Sequence, residues 1–272
     1  MEKILWKPSE DQIKQTNMHT FMTEINHEYN KNIKTYKELW QWSVENISDF
    51  WAHMWDFAEI IASKKADQII DDVNKMPGTK WFTGARLNFA QNLLRFRDNQ
   101  TAIVFLGENQ VYRKLSYAAL YDHVARLARS LKESGVKAGD RVVGFMPNMP
   151  ESIIAMLAAS SIGATWSSCS PDFGIKGVLD RFGQIQPKVL FSANGYFFKG
   201  KKIDSLNKIE RILKQIDSVE KVVIIPYTEK NPDISNIAHS VLYENFISSE
   251  IAQSIHFEQL PFDHPLYIMY SS

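Results

Sequence analysis

Cysteine is nearly missing. The one thiol in 272 residues, Cys169, has no partner for an internal disulfide, and the expectation is a reducing compartment, the cytoplasm. Net charge is missing as well, because Lys plus Arg and Asp plus Glu both number 31. Domains that work on nucleic acid usually carry a basic excess or stripe, so nucleic acid is not an expected partner, while a local basic site for a small anion stays open. Apolar runs long enough to cross a bilayer are absent. Stretches such as Ile153 to Ala159 fall far short of about 20 residues, and no membrane partner is expected. The opening MEKILWKPSEDQ shows neither an apolar core nor a cleavage pattern, so a secretory signal is not expected. The seven histidines lack metal-ligand spacing: His19 and His27, or His53 and His123, are too dispersed to mark a site.

What is there is an ordinary globular composition, 44% hydrophobic and 23% charged, in a length suited to one large or two modest domains. From Met18 to Ile61 aromatic and aliphatic residues recur at spacings of three and four, among them Tyr36, Leu39, Trp40, Trp51 and Trp55. That period predicts amphipathic helices, with a break at Ser48-Asp49, and the aromatic stripe reads as packing in a helical cap. Pro77-Gly78 marks a loop. The second half of WFTGARLNFAQNLL reads as a helix with Leu87, Ala90, Leu93 and Leu94 on one face. Thr101 to Phe105 and Gln110 to Lys114 predict a hairpin around Gly107-Glu108-Asn109. Ser116 then caps a helix to Glu133.

From Gly139 onward short apolar runs alternate with amphipathic segments. Strands are predicted at Arg141 to Met146, Ala164 to Ser168, Lys188 to Ser192, Val222 to Ile225 and Leu266 to Tyr270. Helices are predicted after Pro150, around Ile175 to Gln184, and from Ile203 to Ile216. Glu229 to Gln259 reads as a polar surface excursion. The alternation predicts an α/β fold: an N-terminal helical cap on a mostly parallel sheet with helices on both faces. Ligands of such sheets sit beyond the carboxyl ends of the strands. That rule singles out Ser167 to Asp172, Ala193 to Lys202, and Tyr270 to Ser272.

The loop Gly195-Tyr196-Phe197-Phe198-Lys199-Gly200-Lys201-Lys202 nearly spells a nucleoside-triphosphate P-loop, but Lys202 stands where the magnesium-binding hydroxyl belongs. The P-loop reading fails there. What survives is a convergence of Lys199, Lys201 and Lys202 on an expected helix N-terminus, which suits a small anion as well as a solvated basic turn. Asp172-Phe173-Gly174 has the letters of the protein-kinase magnesium triplet without the rest of that signature, and Asp172 reads as a turn or cap residue. Cys169, beside Ser167, Ser168 and Ser170 with no histidine close in sequence, reads as a structural thiol rather than a nucleophile.

Three stretches carry a resemblance. Trp81 to Leu94, with its GARLN form, Gly135 to Gln186, and FEQLPFDHPLYIMYSS at Phe257 to Ser272 together resemble the acetoacetyl-CoA synthetase family of adenylate-forming ligases, across essentially the whole chain. The resemblance implies residues 1–98 as a cap segment of acetyl-CoA-synthetase type and 99–272 as an incomplete AMP-binding domain. It implies a two-step reaction in which acetoacetate and ATP form an acyl-adenylate, with magnesium accompanying the nucleotide, and CoA then displaces AMP. Ser271 and Ser272 match the opening hydroxyl residues of the family's phosphate loop. Lys201 falls on one of two positions that hold arginines for the CoA nucleotide phosphate in acetyl-CoA synthetase relatives, and Phe198 falls on the other. Lys199, Gly200, Lys201 and Lys202, with Ser170 and Asp172 of the turn Ser170-Pro171-Asp172, are therefore the expected CoA side. No catalytic residue is expected within the chain. The adenine, ribose and acid contacts of the family lie downstream of Ser272, so the 272 residues alone are expected to be inactive and to self-associate through an exposed apolar edge. A non-catalytic CoA- or nucleotide-binding module, and a ligase for another short acid such as acetate, are the alternatives.

Overall fold

The computed structural model describes residues 5–109, 111–249 and 254–271. They fall into two compact units. One holds the described residues up to Ile61 with Lys65–Ala85, and the other holds Ala62–Lys64 with the described residues from Arg86 onward.

The first unit is mainly helical: α1 (Glu10–Lys14), α2 (Asn17–Glu28), α3 (Tyr36–Glu45) and α4 (Ile47–Phe57). Each of the first three starts at a hydroxyl cap, Ser9, Thr16 or Thr35, that accepts from a backbone N–H two or three residues into its helix. Phe21, Ile25, Ile33, Leu39 and Trp42 form the core of this unit, with Phe50, Met54 and Phe57 packed against it. The expected break at Ser48-Asp49 lies instead at Asn46. Its backbone and side-chain amides both turn back onto the Trp42 carbonyl, ending α3, and Asp49 then sits in the first turn of α4, where the helix dipole favours an acid.

The second unit opens with β1 (Ala62–Lys64). In the first unit, β2 (Gln68–Ile70) pairs antiparallel with β3 (Trp81–Thr83). Back in the second unit, β4 (Arg86–Leu87) pairs with β1, so Leu87 belongs to a strand and not to the expected helix, which is the shorter α5 (Phe89–Leu93) capped by Asn88. The expected hairpin is β5 (Thr101–Leu106) with β6 (Tyr112–Ser116), although Gln110 lies outside the described residues. Ser116 caps α6 (Tyr117–Glu133) as expected.

Then comes the sheet: β7 (Arg141–Phe145), α7 (Pro150–Ser161), β8 (Thr165–Cys169), α8 (Ile175–Ile185) and β9 (Val189–Ala193). A small ribbon follows, β10 (Gly195–Phe198) with β11 (Lys201–Asp204), and then α9 (Leu206–Leu213) and β12 (Lys221–Ile225). The chain closes with β13 (Ser240–Leu242), α10 (Tyr243–Phe246), β14 (Leu260–Pro261) and β15 (Tyr267–Ile268). Six strands line up as β13-β12-β9-β7-β8-β15, and all five pairings are parallel. The expected surface excursion from Glu229 to Gln259 thus contributes an edge strand, β13, too short to give a period in sequence. Strand side chains alternate between faces. Val142, Phe191, Val223 and Ile225 pack with α5, α6 and α7, whereas Val143, Phe145, Leu190 and Ile224 pack with α8 and α9.

Candidate functional site at the carboxyl edge of the sheet

Because the six strands are parallel, their carboxyl ends emerge along one edge. The crossover from β7 leads to β8 on one side, and the crossover from β9 leads to β12 on the other. Reversal between adjacent strands opens a crevice at such an edge. Three segments leave the edge near it: Ser170–Asp172 after β8, Asn194–Lys202 after β9, and Tyr270–Ser271 after β15. With neighbouring strands about 4.8 Å apart, β9 and β15, three steps from one another, discharge their segments on the order of 14 Å apart.

The lysines are arranged differently from the expectation. Lys199, Gly200, Lys201 and Lys202 do not open a helix; they form the tip of the β10–β11 ribbon, and α9 starts only at Leu206. Phe198 pairs with Lys201 across a two-residue loop whose central residues, Lys199 and Gly200, both have positive φ, 51° and 73°. This is the I′ geometry that matches strand twist, and Gly200 at the second turn position after the β-prone Tyr196-Phe197-Phe198 was the readable signal for it. The anion-binding help of a helix terminus is therefore absent from these lysines. Carboxylates also stand beside the tip. Glu108 accepts from the Lys199 backbone N–H at 2.8 Å, and Glu229 lies 3.3 Å from Lys202 Nζ. Lys201 is exposed, with no ion pair among the described residues.

Asn194 anchors the ribbon. Its side-chain oxygen accepts from the backbone of Tyr227 and Thr228 at 2.7 and 3.0 Å, and its amide donates to Thr228 Oγ1 at 3.1 Å. Gly195 follows because a Cβ there would lie 2.5 Å from the Ile203 carbonyl oxygen.

Ser170 and Asp172 meet the base of the ribbon and not its tip. Ser170 Oγ donates to Asp172 Oδ2 at 3.3 Å. The Tyr196 hydroxyl has its pKa raised, by burial first and then by the nearby Asp172 carboxylate. Lys208, from α9, donates to the Pro171 carbonyl at 3.0 Å and lies over the Tyr196 ring. Tyr196 and Lys208 carried no signal in sequence, since one reads as an apolar strand residue and the other as a helix surface cation.

Ser271 is exposed at the end of β15, and Ser272 lies outside the described residues. The approach to Ser271 is tied to β8. Ser167 Oγ donates to the Ile268 carbonyl at 2.8 Å, and Thr165 Oγ1 donates to Pro265 at 3.1 Å. Tyr270 donates to the Arg181 carbonyl on α8 at 3.0 Å. Cys169 is buried, and burial pushes its thiol up to about 11 against the opposing charge of Arg181, which suits a structural thiol. No group of three or more His, Cys, Asp or Glu side chains able to hold a metal occurs among the described residues, and none of their helices is long and apolar enough to cross a membrane.

Comparison with known proteins agrees with this architecture. The chain is 41% identical over 279 residues to the acetoacetyl-CoA synthetase of Macaca fascicularis, which covers 99% of the chain and 41% of that protein. The acetoacetyl-coenzyme A synthetase of Rhizobium meliloti is 38% identical over the whole chain and 41% of its own length. The malonamoyl-CoA synthetase vrtB of Penicillium aethiopicum is 32% identical over the whole chain and 39% of its own length. Among solved structures, acetoacetyl-CoA synthetase from Streptomyces lividans superposes with a TM-score of 0.91 at 32% identity, over 99% of the chain and 41% of that structure. The chain thus spans about two fifths of the length of the relatives it matches. The acetyl-coenzyme A synthetase N-terminus family matches residues 36–93. The AMP-binding enzyme family matches residues 89–272, well over half of the sequence, and the chain belongs to that family.

Proposed function

We propose that the protein carrying this chain is an ATP-dependent acetoacetate–CoA ligase. The observation that carries the reading is whole-chain likeness to vertebrate and bacterial proteins named acetoacetyl-CoA synthetase. The acetoacetate carboxylate attacks the α-phosphate of ATP, giving acetoacetyl-AMP and pyrophosphate. The CoA thiol then attacks the acyl carbon and expels AMP. A free carboxylate is a poor acyl donor, and adenylation gives it a good leaving group.

In this reading Ser271, with Ser272 beyond the described residues, opens the loop that receives the ATP phosphates. Lys201 is the principal cation for the CoA nucleotide phosphates, with Lys199, Gly200 and Lys202 shaping the tip around it. Ser170 and Asp172 border the CoA side at the base of the ribbon. The described residues provide no protein cage for magnesium, which in this reading arrives bound to nucleotide phosphates and water. Residues 1–98 act as the cap segment and 99–272 as part of the AMP-binding domain. The protein works in the cytoplasm, where a lone buried thiol stays reduced. The chain self-associates through its β15 edge, where Met269 is 81% exposed, and light scattering that stays monomeric as concentration rises would contradict this.

The acid is the finer part of the reading, because a relative at 32% identity is named for malonamate. Exchange of labelled pyrophosphate into ATP decides it, measured on the protein carrying this chain with acetoacetate, acetate and malonamate in turn. The highest exchange is expected with acetoacetate. Faster exchange with either other acid, or none with any, sinks the proposal.

A further inference from the structure

One side chain contacts both the Ser170–Phe173 turn and the segment that leads to Ser271. Arg181, half-buried on α8, stacks its guanidinium over the Phe173 ring at 4.3 Å to the centroid and over the Tyr270 ring at 5.6 Å. Phe173 continues the Ser170–Asp172 turn, and Tyr270 immediately precedes Ser271. Two further features hold the arginine in that place. Its Nη1 donates to the Gly177 carbonyl one turn earlier at 2.9 Å, and its own carbonyl accepts from the Tyr270 hydroxyl at 3.0 Å. Gly177 leaves room for the stack, since a Cβ there would meet Phe173 Cδ1 at 3.2 Å and Arg181 Nη1 at 3.7 Å.

Arg181 is half-buried, and its guanidinium faces both rings. Phe173 on the turn and Tyr270 just before Ser271 therefore share one guanidinium as a common contact at the edge of the sheet. A guanidinium suits this role because its flat, weakly hydrated face contacts two rings at once, whereas an ammonium is a compact and strongly hydrated charge.

We infer that Arg181 is a positioning residue that couples the Ser170–Phe173 turn to the Tyr270–Ser271 segment. What each segment binds rests on the ligase reading above. The coupling itself rests only on the contacts.

Hydrogen exchange on the protein carrying this chain, read by mass spectrometry on peptides covering 170–174 and 266–270, tests it. Without ligand, Arg181→Met is expected to speed exchange in both peptides by about two- to fivefold, the range that loss of an exposed cation–π contact gives. Phe173→Leu is the sharper variant. It lies in the turn and reaches Tyr270 through Arg181, yet it is expected to speed the 266–270 peptide as well. Arg181→Lys keeps the charge and should resemble Arg181→Met. A side chain that merely supports α8 would loosen the 175–185 peptide in Arg181→Met and leave 266–270 unchanged in Phe173→Leu. That result, or full rescue by lysine, overturns the inference.

A second measurement separates this from the ligase reading. With CoA added, the wild-type 266–270 peptide is expected to gain protection that Arg181→Met loses. If CoA protects neither peptide in wild type while Phe173→Leu still loosens 266–270, the assignment of the CoA side fails and the coupling stands. If CoA protects 170–174 alone in wild type, the coupling fails and the assignment stands.

Discussion

The side-chain amide of Asn88 donates to the backbone carbonyl of Glu258 at 2.8 Å, across 170 positions of sequence. The same amide reaches the carbonyls of Ser160 and Ser161, at 3.0 and 3.2 Å, where α7 ends. Its oxygen caps α5 by accepting from Gln91 N–H, and the residue is 1% exposed. One side chain therefore joins the start of α5, the end of α7 and the approach to β14. This is the Asn of the GARLN stretch, and its value is structural.

Asn88→Ala removes the α5 cap and takes a donor away from the Glu258, Ser160 and Ser161 carbonyls, of which the last two keep backbone donors in Gly163 and Glu258, and a loss of about 1–3 kcal/mol in unfolding free energy is expected in urea melts. Asn88→Asp should be worse, because it faces those carbonyls with another acceptor. A loss under about 1 kcal/mol for the alanine variant would show that water replaces the amide without penalty.

Gly144 on β7 lies under Trp166 of β8. A Cβ at 144 would stand 2.8 Å from Trp166 Cζ2 and 2.9 Å from Cη2, and that indole is 1% exposed in the core between the sheet and α7. The ring has no room to retreat. Gly144→Ala is expected to destabilise by about 1–3 kcal/mol through overpacking, despite the usual benefit of replacing a strand glycine. Thermal melts that show no decrease would contradict this.

At the ribbon tip, stability and binding should separate. Lys199 holds a positive φ that asparagine tolerates better, and Asn-Gly is the favoured pair for this turn. Lys199→Asn is expected to stabilise the chain by roughly 0.5 kcal/mol while weakening CoA binding. Lys201→Glu should weaken CoA by about tenfold or more at low salt, with the difference shrinking as salt is raised. Calorimetry with CoA at two ionic strengths checks both, and unchanged affinity in Lys201→Glu would remove the tip from the CoA side.

The buried thiol gives a pH prediction. Cys169 is raised from 9.0 to about 11 by burial, so between these values the unfolded chain ionises its thiol while the folded chain does not. Its contribution to stability is full below about pH 9 and is lost as pH rises through about 11, on the order of 2–3 kcal/mol in all. Cys169→Ser should flatten that stretch of the stability–pH curve. Alkylation of the native thiol by iodoacetamide should stay slow at pH 9, and fast labelling there would sink the prediction.

Much of the fold was legible because the apolar periods are unambiguous where both faces of the sheet are covered. Arg141–Phe145, Val189–Ala193 and Lys221–Ile225 are short β-branched or apolar runs between amphipathic helices, and such runs permit little but a parallel sheet. The misreadings have two causes. At Leu87 a distant strand partner, Ala62, decided against a helix, whereas at Asn46 and at Lys199–Gly200 the deciding contacts are local, to Trp42 and between Phe198 and Lys201, and compete with an equally local helical propensity.

By itself, the sequence determined the α/β class, the order of most strands and helices, the family, and the three segments that leave the carboxyl edge. Periodicity and motif are properties of neighbouring residues, and they survive in a string of letters. The tertiary structure alone decided which of those segments meet. Asp172 lies beside Tyr196, β13 completes an edge from within a polar stretch, and Arg181 contacts both Phe173 and Tyr270. Such contacts depend on strand order and register, which bring together residues up to about 170 positions apart, and no local pattern encodes that distance.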